Sequence, residues 1–233
     1  MEEFMTASFW LAVGQIIMID ILLGGDNAVV IALACRNLPD KQRTKGIIYG
    51  TAGAIILRVI LIAFALALLA IPYLKIVGAV LLLWIGVKLL QPEDEGDHNI
   101  SSSDKLWAAV KTVIIADLVM SVDNVLAIAG AAQGAHSSHQ LPLVIFGLLV
   151  SIPIIVAGSQ LVLKLMSRFP VVITLGAMLL GWIAGQMAYS DPAIKPYLPE
   201  AAFWGYVVAA AGALLVLAIG KFMQARQKPV HTA

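Results

Sequence analysis

Apolar residues fall in seven long blocks, near 9–35, 45–70, 72–90, 106–132, 140–166, 170–190 and 201–223. Polar or turn-forming segments separate them: Asn37-Leu38-Pro39-Asp40, Ile71-Pro72, Gln91 to Asp104, His136 to Gln140, Arg168-Phe169-Pro170, and Ser190-Asp191-Pro192 through Pro199. Each block approaches or exceeds the roughly 20 residues that carry a helix across hydrocarbon about 30 Å thick. The runs are continuous, without the period-two alternation of a barrel strand. Only helices and closed barrels satisfy their backbone groups in lipid, so the pattern predicts helices. The expected fold class is an all-α membrane protein with seven transmembrane helices. The start, Met1-Glu2-Glu3-Phe4, is acidic and lacks the basic n-region of a cleaved signal peptide, so the first block is expected to be a retained span.

Composition agrees with this pattern. Of 233 residues, 61% are hydrophobic and 12% are charged, with a mean hydropathy of +0.93. Soluble domains run at about 45–50% apolar and about 25% charged, so a soluble or disordered chain is excluded. Seven spans leave no room for a separate soluble domain. A net charge of +1 offers no basic excess for nucleic acid, and the lone Cys35 forms neither an internal disulfide nor a thiolate metal cluster. Basic residues then set the orientation. Arg36, Lys41, Arg43, Lys45, Lys88, Lys105, Lys111, Lys164, Arg168, Lys221, Arg226 and Lys228 fall on one side of the membrane, twelve against two (Lys75 and Lys195) on the other. The expectation is an N-terminus outside and a C-terminus in the cytoplasm.

The first and fourth blocks repeat each other. Ile19-Asp20 through Gly25-Asp26-Asn27 matches Ala116-Asp117 through Val122-Asp123-Asn124 at an offset of 97. Gly78-Ala79-Val80-Leu81-Leu82-Leu83-Trp84-Ile85 matches Gly176-Ala177-Met178-Leu179-Leu180-Gly181-Trp182-Ile183 at an offset of 98, with six of eight positions identical. A weaker echo pairs Ile48 and Gly50 with Ile145 and Gly147. A unit of three spans ends on the side opposite its start, so its copy enters the membrane upside down. The expected architecture is a 3+3 inverted-topology repeat plus one extra C-terminal helix. As a single transmembrane domain over 1–233, it divides into a first repeat at about 9–90, a cytoplasmic linker at 91–104, a second repeat at about 105–190 and the extra helix at about 201–223. Inverted repeats characterise transporters, with the substrate site near the midplane where the halves meet.

Four acids lie inside the blocks: Asp20, Asp26, Asp117 and Asp123. Each costs about 2.5–3.5 kcal/mol at a helix centre, so the set costs roughly 10–14 kcal/mol, comparable with the net stability of a domain. Protonation, pairing with a cation or a hydrated cavity must compensate. Asp20 and Asn27 are seven apart and share nearly one face, whereas Asp26 lies about 120° off it on a regular helix. Gly24-Gly25 weakens the helix between them, and unwinding there would bring Asp26 onto the Asp20 face. Ser121-Val122 holds the same place in the second copy and is a weaker break. Oxygen ligands suit Mg²⁺, Ca²⁺ or Mn²⁺, and the absence of His from the blocks argues against Zn²⁺ or Cu⁺. Met18 and Met120 stand near the acids, where a thioether contact would favour Mn²⁺. The same carboxylates are candidates for carrying protons as counter-ion.

Arg58 lies mid-span in the second block, and its repeat counterpart is Ile155. Two roles are open: an ion pair that partly neutralises the acids, or an internal cation that substitutes for a metal. Gln160 and Gln186 are expected to bridge helices or to coordinate, and Pro153 with Ser151 to kink the fifth span. The acidic stretch with Glu93, Asp94, Glu95, Asp97 and His98 reads as a solvated linker, and His136 and His139 as part of a polar turn.

The Gly24-Gly25-Asp26-Asn27-Ala28 segment, with Ala116-Asp117 and Ser121-Val122-Asp123-Asn124, resembles the TerC family of integral membrane proteins. Short length and seven spans look most like its bacterial branch of metal transporters, the YjbE and YkoY type. The resemblance covers essentially the whole chain. It implies Mn(II) export from the cytoplasm, with a metal site at Asp20, Asp26, Asn27, Asp117, Asp123 and Asn124. On this reading the chain is not an enzyme and holds no organic cofactor. Its partners are the lipid bilayer and a divalent metal substrate; nucleic acid is not expected, and the oligomeric state is left open. Alternatives are a proton-coupled exporter of another small solute or of Ca(II). An intramembrane aspartyl protease fits poorly, because Leu23-Gly24-Gly25-Asp26 lacks the first glycine of the Gly-x-Gly-Asp motif. A retinal pump fits no better, since the seventh block carries no interior lysine.

Overall fold

The computed structural model describes residues 7–64, 71–91, 101–132, 140–199 and 201–227; within its helices the side chains of 7–9, 19–25, 123–132, 140–144 and a few further positions are outside the description. Seven long α-helices occupy the described residues: α1 (Ala7–Cys35), α2 (Asp40–Ala63), α3 (Leu74–Leu90), α4 (Ser102–Ala132), α5 (Gln140–Arg168), α6 (Val171–Tyr189) and α7 (Ala202–Gln227). They coincide with the seven predicted blocks, and the chain is an all-α membrane protein. Among the described residues, four helical stretches are long and apolar enough to cross a membrane: Asp40–Ile62, Ile145–Arg168, Val171–Tyr189 and Phe203–Arg226. Their outward faces are apolar too. Only 22% of the apolar window of α7 is buried, while Phe203, Tyr206, Leu214 and Phe222 are exposed. In water such a face would drive aggregation, whereas in lipid it is solvated.

Local chemistry sets the helix ends. After Cys35 the chain turns through Asn37-Leu38-Pro39, and Pro39 precedes α2, where its missing N–H leaves nothing unsatisfied. The Arg43 guanidinium donates to the carbonyls of Arg36 and Leu38, each at 3.1 Å, and pairs with Asp40 at 2.8 Å. It thereby serves carbonyls just beyond the end of α1 that the helix leaves free. α5 continues through Pro153, and Ser151 donates to the Leu148 carbonyl at 2.8 Å.

The chain forms two compact units. The first comprises Met1–Ile71 and Leu106–Leu163, holding α1, α2 and most of α4 and α5. The second comprises Pro72–Lys105 and Lys164–Ala233, holding α3, α6 and α7. Segments matched by the internal repeat fall in the same unit: α1 with α4, α2 with α5, α3 with α6.

In the first unit the buried positions of α2 form one stripe: Ile47, Thr51, Ala54, Ile55, Arg58 and Leu61. The buried stripe of α4 runs through Leu106, Val110, Val113, Asp117 and Ser121. Ile31, Cys35, Leu38, Ile47, Val110, Val113 and Ile155 pack into one core. Arg58, Asp117 and Ser121 are therefore in register with the core faces of their helices.

In the second unit α6 packs closely on α7, and α3 packs against both. The repeat is visible in burial: Gly78, Ala79, Leu82 and Gly86 of α3 are buried, and so are their counterparts Gly176, Ala177, Leu180 and Ala184 of α6. Small residues let the backbones touch, since a Cβ on Gly181 would overlap the Gly212 carbonyl and one on Gly185 the Val208 carbonyl. Asp191, fully buried, closes the N-terminus of α3. Its carboxylate accepts from the backbone N–H groups of Tyr73 (3.2 Å), Lys75 (3.1 Å) and Ile76 (3.3 Å), and from that of Ala193 (2.8 Å). The left-handed conformation of Tyr73, with φ at 63°, lies at this capped turn.

Candidate functional site

A guanidinium stays charged at any ordinary pH, so an arginine in an apolar interior needs an anion beside it. Arg58 is 2% exposed, and its partner is Asp117 of α4, itself 5% exposed. A terminal guanidinium nitrogen of Arg58 bonds Asp117 Oδ1. Its Nε donates to Ser121 Oγ at 3.1 Å, and Ser121 donates to Asp117 Oδ2 at 3.0 Å. Ser121 follows Asp117 by one helical turn, so both side chains rise from the same face of α4. The three residues make a closed ring in which both carboxylate oxygens accept.

α1 contributes the neighbouring polar group. Asn27 is 4% exposed, and neither its side-chain oxygen nor its nitrogen has a hydrogen-bond partner among the described residues. It lines a narrow cleft with Val30 and Ile31 of α1 and Val113 and Asp117 of α4. A buried amide left unpaired costs about 1–3 kcal/mol, a defect that stability alone would remove. Asp26 is half-buried, and its Oδ1 accepts from the backbone N–H of Asn27 at 2.9 Å.

Of the six residues expected at the metal site, the structure brings Asn27 and Asp117 to one cleft; Asp26 precedes Asn27 in α1 but does not line that cleft. The side chains of Asp20, Asp123 and Asn124 lie outside the described residues. Among the described residues no group of three or more His, Cys, Asp and Glu stands close enough to hold a metal. Available donors are thus oxygens of carboxylate, carboxamide and hydroxyl type, which suit hard divalent cations.

Arg58 forms an ion pair with Asp117, which both of the roles open to it require. Gln160 and Gln186 are exposed rather than bridging, because the outward faces of α5 and α6 carry them. Met18 is 55% exposed, whereas Met120 is buried. Glu93, Asp94, Glu95, Asp97, His98, His136 and His139 lie outside the described residues. In the sequence Ser121 reads only as a weak helix break; its spacing of four from Asp117 is the signal for a bridging hydroxyl. Asp191 reads there as a breaker, whereas in the fold it is a cap.

Comparison with known proteins fits this picture. No solved structure matches the chain. Membrane protein YjbE of Bacillus subtilis is 44% identical over 185 residues, covering 79% of this chain and 82% of the relative. Membrane protein YceF of the same organism is 30% identical over 229 residues, covering 94% and 86%. A more distant relative, the UPF0053 inner membrane protein YoaE of Escherichia coli, is 25% identical over 75% of this chain and 36% of its own length. The sequence pattern of the integral membrane protein TerC family matches residues 5–228, both Asp-Asn segments included. An apolar bundle with this ring at its core, matched along nearly its whole length, belongs to the integral membrane protein TerC family.

Proposed function

We propose that this protein is a divalent-cation transporter that exports Mn(II) from the cytoplasm by alternating access, with intramembrane oxygen donors as its ligands. One observation carries the reading: Asn27 and Asp117, from the two matched segments of the repeat, face one buried cleft, and Asn27 has no partner there among the described residues. Asp26 extends this donor set, and Asp20, Asp123 and Asn124 complete it by their place in the repeated motif. An unpaired carboxamide beside a carboxylate is poor packing but a good start for a hard-cation site. The cleft holds about one water-sized guest, which suits a dehydrated ion better than an organic solute. Our reading is transport rather than catalysis, supported by donors that line a cleft within a membrane bundle.

With the second half of the repeat inverted relative to the first, a site shared by their matched segments can open alternately to either side. Basic residues at the Arg36, Lys41, Arg43, Lys45 end of the bundle and at the C-terminus favour a cytoplasmic position for both, in a bacterial inner membrane. The stacked Tyr49–Trp107 pair, ring centroids 6.4 Å apart, lies near that end, where aromatic residues gather at a membrane surface. Protons moving in exchange would use the same carboxylates.

The test is Mn(II) efflux. Cells expressing the protein should lose Mn(II) faster and tolerate higher external Mn(II), and Asp26→Asn and Asp123→Asn should each abolish that tolerance. Tolerance intact in both variants would sink the mechanism. Competition of Mn(II) transport by Ca(II) and by small organic cations separates the metal from other cargo.

A further inference from the structure

We propose that Arg58 is an internal competitor of the transported cation for Asp117, and that this competition both speeds release and rejects singly charged ions. The inference rests on the metal-transport reading above and assigns within it the residue that sets affinity.

The ring leaves Asp117 no idle oxygen. Oδ1 accepts from Arg58, and Oδ2 accepts from Ser121, whose own oxygen accepts from Arg58 Nε at 3.1 Å. A cation that ligates Asp117 must therefore share an oxygen with a guanidinium or a hydroxyl, and a cation that close to the guanidinium is repelled by its charge. Arg58 cannot lose its proton to make way, so it must be displaced while still charged. A monovalent ion brings no more charge than the guanidinium and lacks its directed donors. A divalent ion brings twice the charge, and only that difference favours exchange. When the ion leaves, the returning guanidinium stabilises the emptied carboxylate, so departure does not strand a bare anion in the bundle.

The device occurs at one of two related places. At the repeat offset of 97, Arg58 corresponds to Ile155, Ser121 to Gly24 and Asp117 to Asp20. Ile155 is buried in the apolar core of its unit. The second copy thus has a hydrocarbon where the first has the guanidinium, and Gly24 supplies no hydroxyl. The guanidinium and the hydroxyl that bond Asp117 thus have no like counterparts at the matched positions of the other copy, which makes the two halves of the repeat chemically unequal.

The test uses full-length protein in nanodiscs for Mn(II) binding and in proteoliposomes for transport. Arg58→Gln should bind Mn(II) about tenfold more tightly and turn over more slowly, so that KM and maximal rate fall together. Its Mn(II) binding should also become sensitive to Na⁺ or K⁺ that leave the wild type unaffected. Arg58→Lys, which keeps the charge but loses the fork, should lie between. Ser121→Ala, which loosens the ring without removing a charge, should shift affinity the same way by about threefold and decides the matter if Arg58→Gln does not fold. Affinity unchanged or weakened in folded Arg58→Gln, or in Ser121→Ala where that variant decides, overturns the proposal and leaves the transport reading standing. Wild-type protein that binds no Mn(II) overturns the transport reading itself.

Discussion

Two buried carboxylates, one in each compact unit, solve the same problem in opposite ways. Asp191 is held by four backbone N–H groups, three of them at the start of α3. Those donors are fixed by the helix, so the carboxylate is locked and its role is to join α3 to the end of α6. Asp117 is held by side chains, among them a guanidinium and a hydroxyl, each with rotatable bonds. Beside it stands Asn27 with no partner among the described residues. The difference teaches that a buried charge signals function by how it is satisfied. Backbone donors make a joint, while mobile side-chain donors next to an unsatisfied group make a place where a ligand can be exchanged.

That contrast can be broken deliberately. The largest effect is expected from Asp117→Leu, which removes a buried ion-pair partner of Arg58 and should cost about 3–5 kcal/mol, read as loss of folded protein by size-exclusion profile and thermal melt. Adding Arg58→Met in the same chain should recover much of that stability without recovering Mn(II) transport, because a packed apolar pair replaces the ion pair but supplies no ligand. Gly212→Leu should come next. Even its Cβ would meet the Gly181 carbonyl, and overpacking of this kind costs about 1–3 kcal/mol, visible as a lower melting temperature. Asp191→Ala orphans the first amides of α3 and should cost about 1–2 kcal/mol, with the transport lost per folded molecule small. The smallest effect, and the most diagnostic in sign, belongs to Asn27→Val. Removing an unpaired buried amide should leave stability unchanged or raise it by about 1 kcal/mol, while Mn(II) affinity falls. A destabilised Asn27→Val that still transported normally would assign Asn27 to packing and blur the distinction between the two units.

Much of the fold is legible in the chain itself, since breakers such as Pro39, Pro170 and Asp191-Pro192 delimit apolar runs too long for soluble helices. The repeat is legible because Trp84 and Trp182, and the paired Asp-Asn segments, are rare enough in apolar text to mark equivalence. Which face of each helix is buried is not legible. In a membrane the lipid-facing side is as apolar as the core, so Ile47 and Ile48 look alike, although one is buried and the other exposed. That Arg58 reaches Asp117 is hidden for the same reason: it requires the register of α2 against α4. The close helix approach at Gly181, Gly185 and Gly212 is hidden too, because it depends on which glycines of neighbouring helices meet. Nor does the role of Asp191 show in the sequence, because the α3 amides it caps lie more than a hundred residues away in the chain.

The measurement that tests the account most directly is anomalous scattering from crystals of the protein grown with Mn(II). The account predicts an anomalous peak within ligand distance of the Asp117 carboxylate, shared with oxygens of Asn27 or Asp26, and Arg58 turned away from Asp117 in that complex. Manganese found only on exposed carboxylates, with the Arg58–Asp117–Ser121 ring intact beneath it, would contradict the claim.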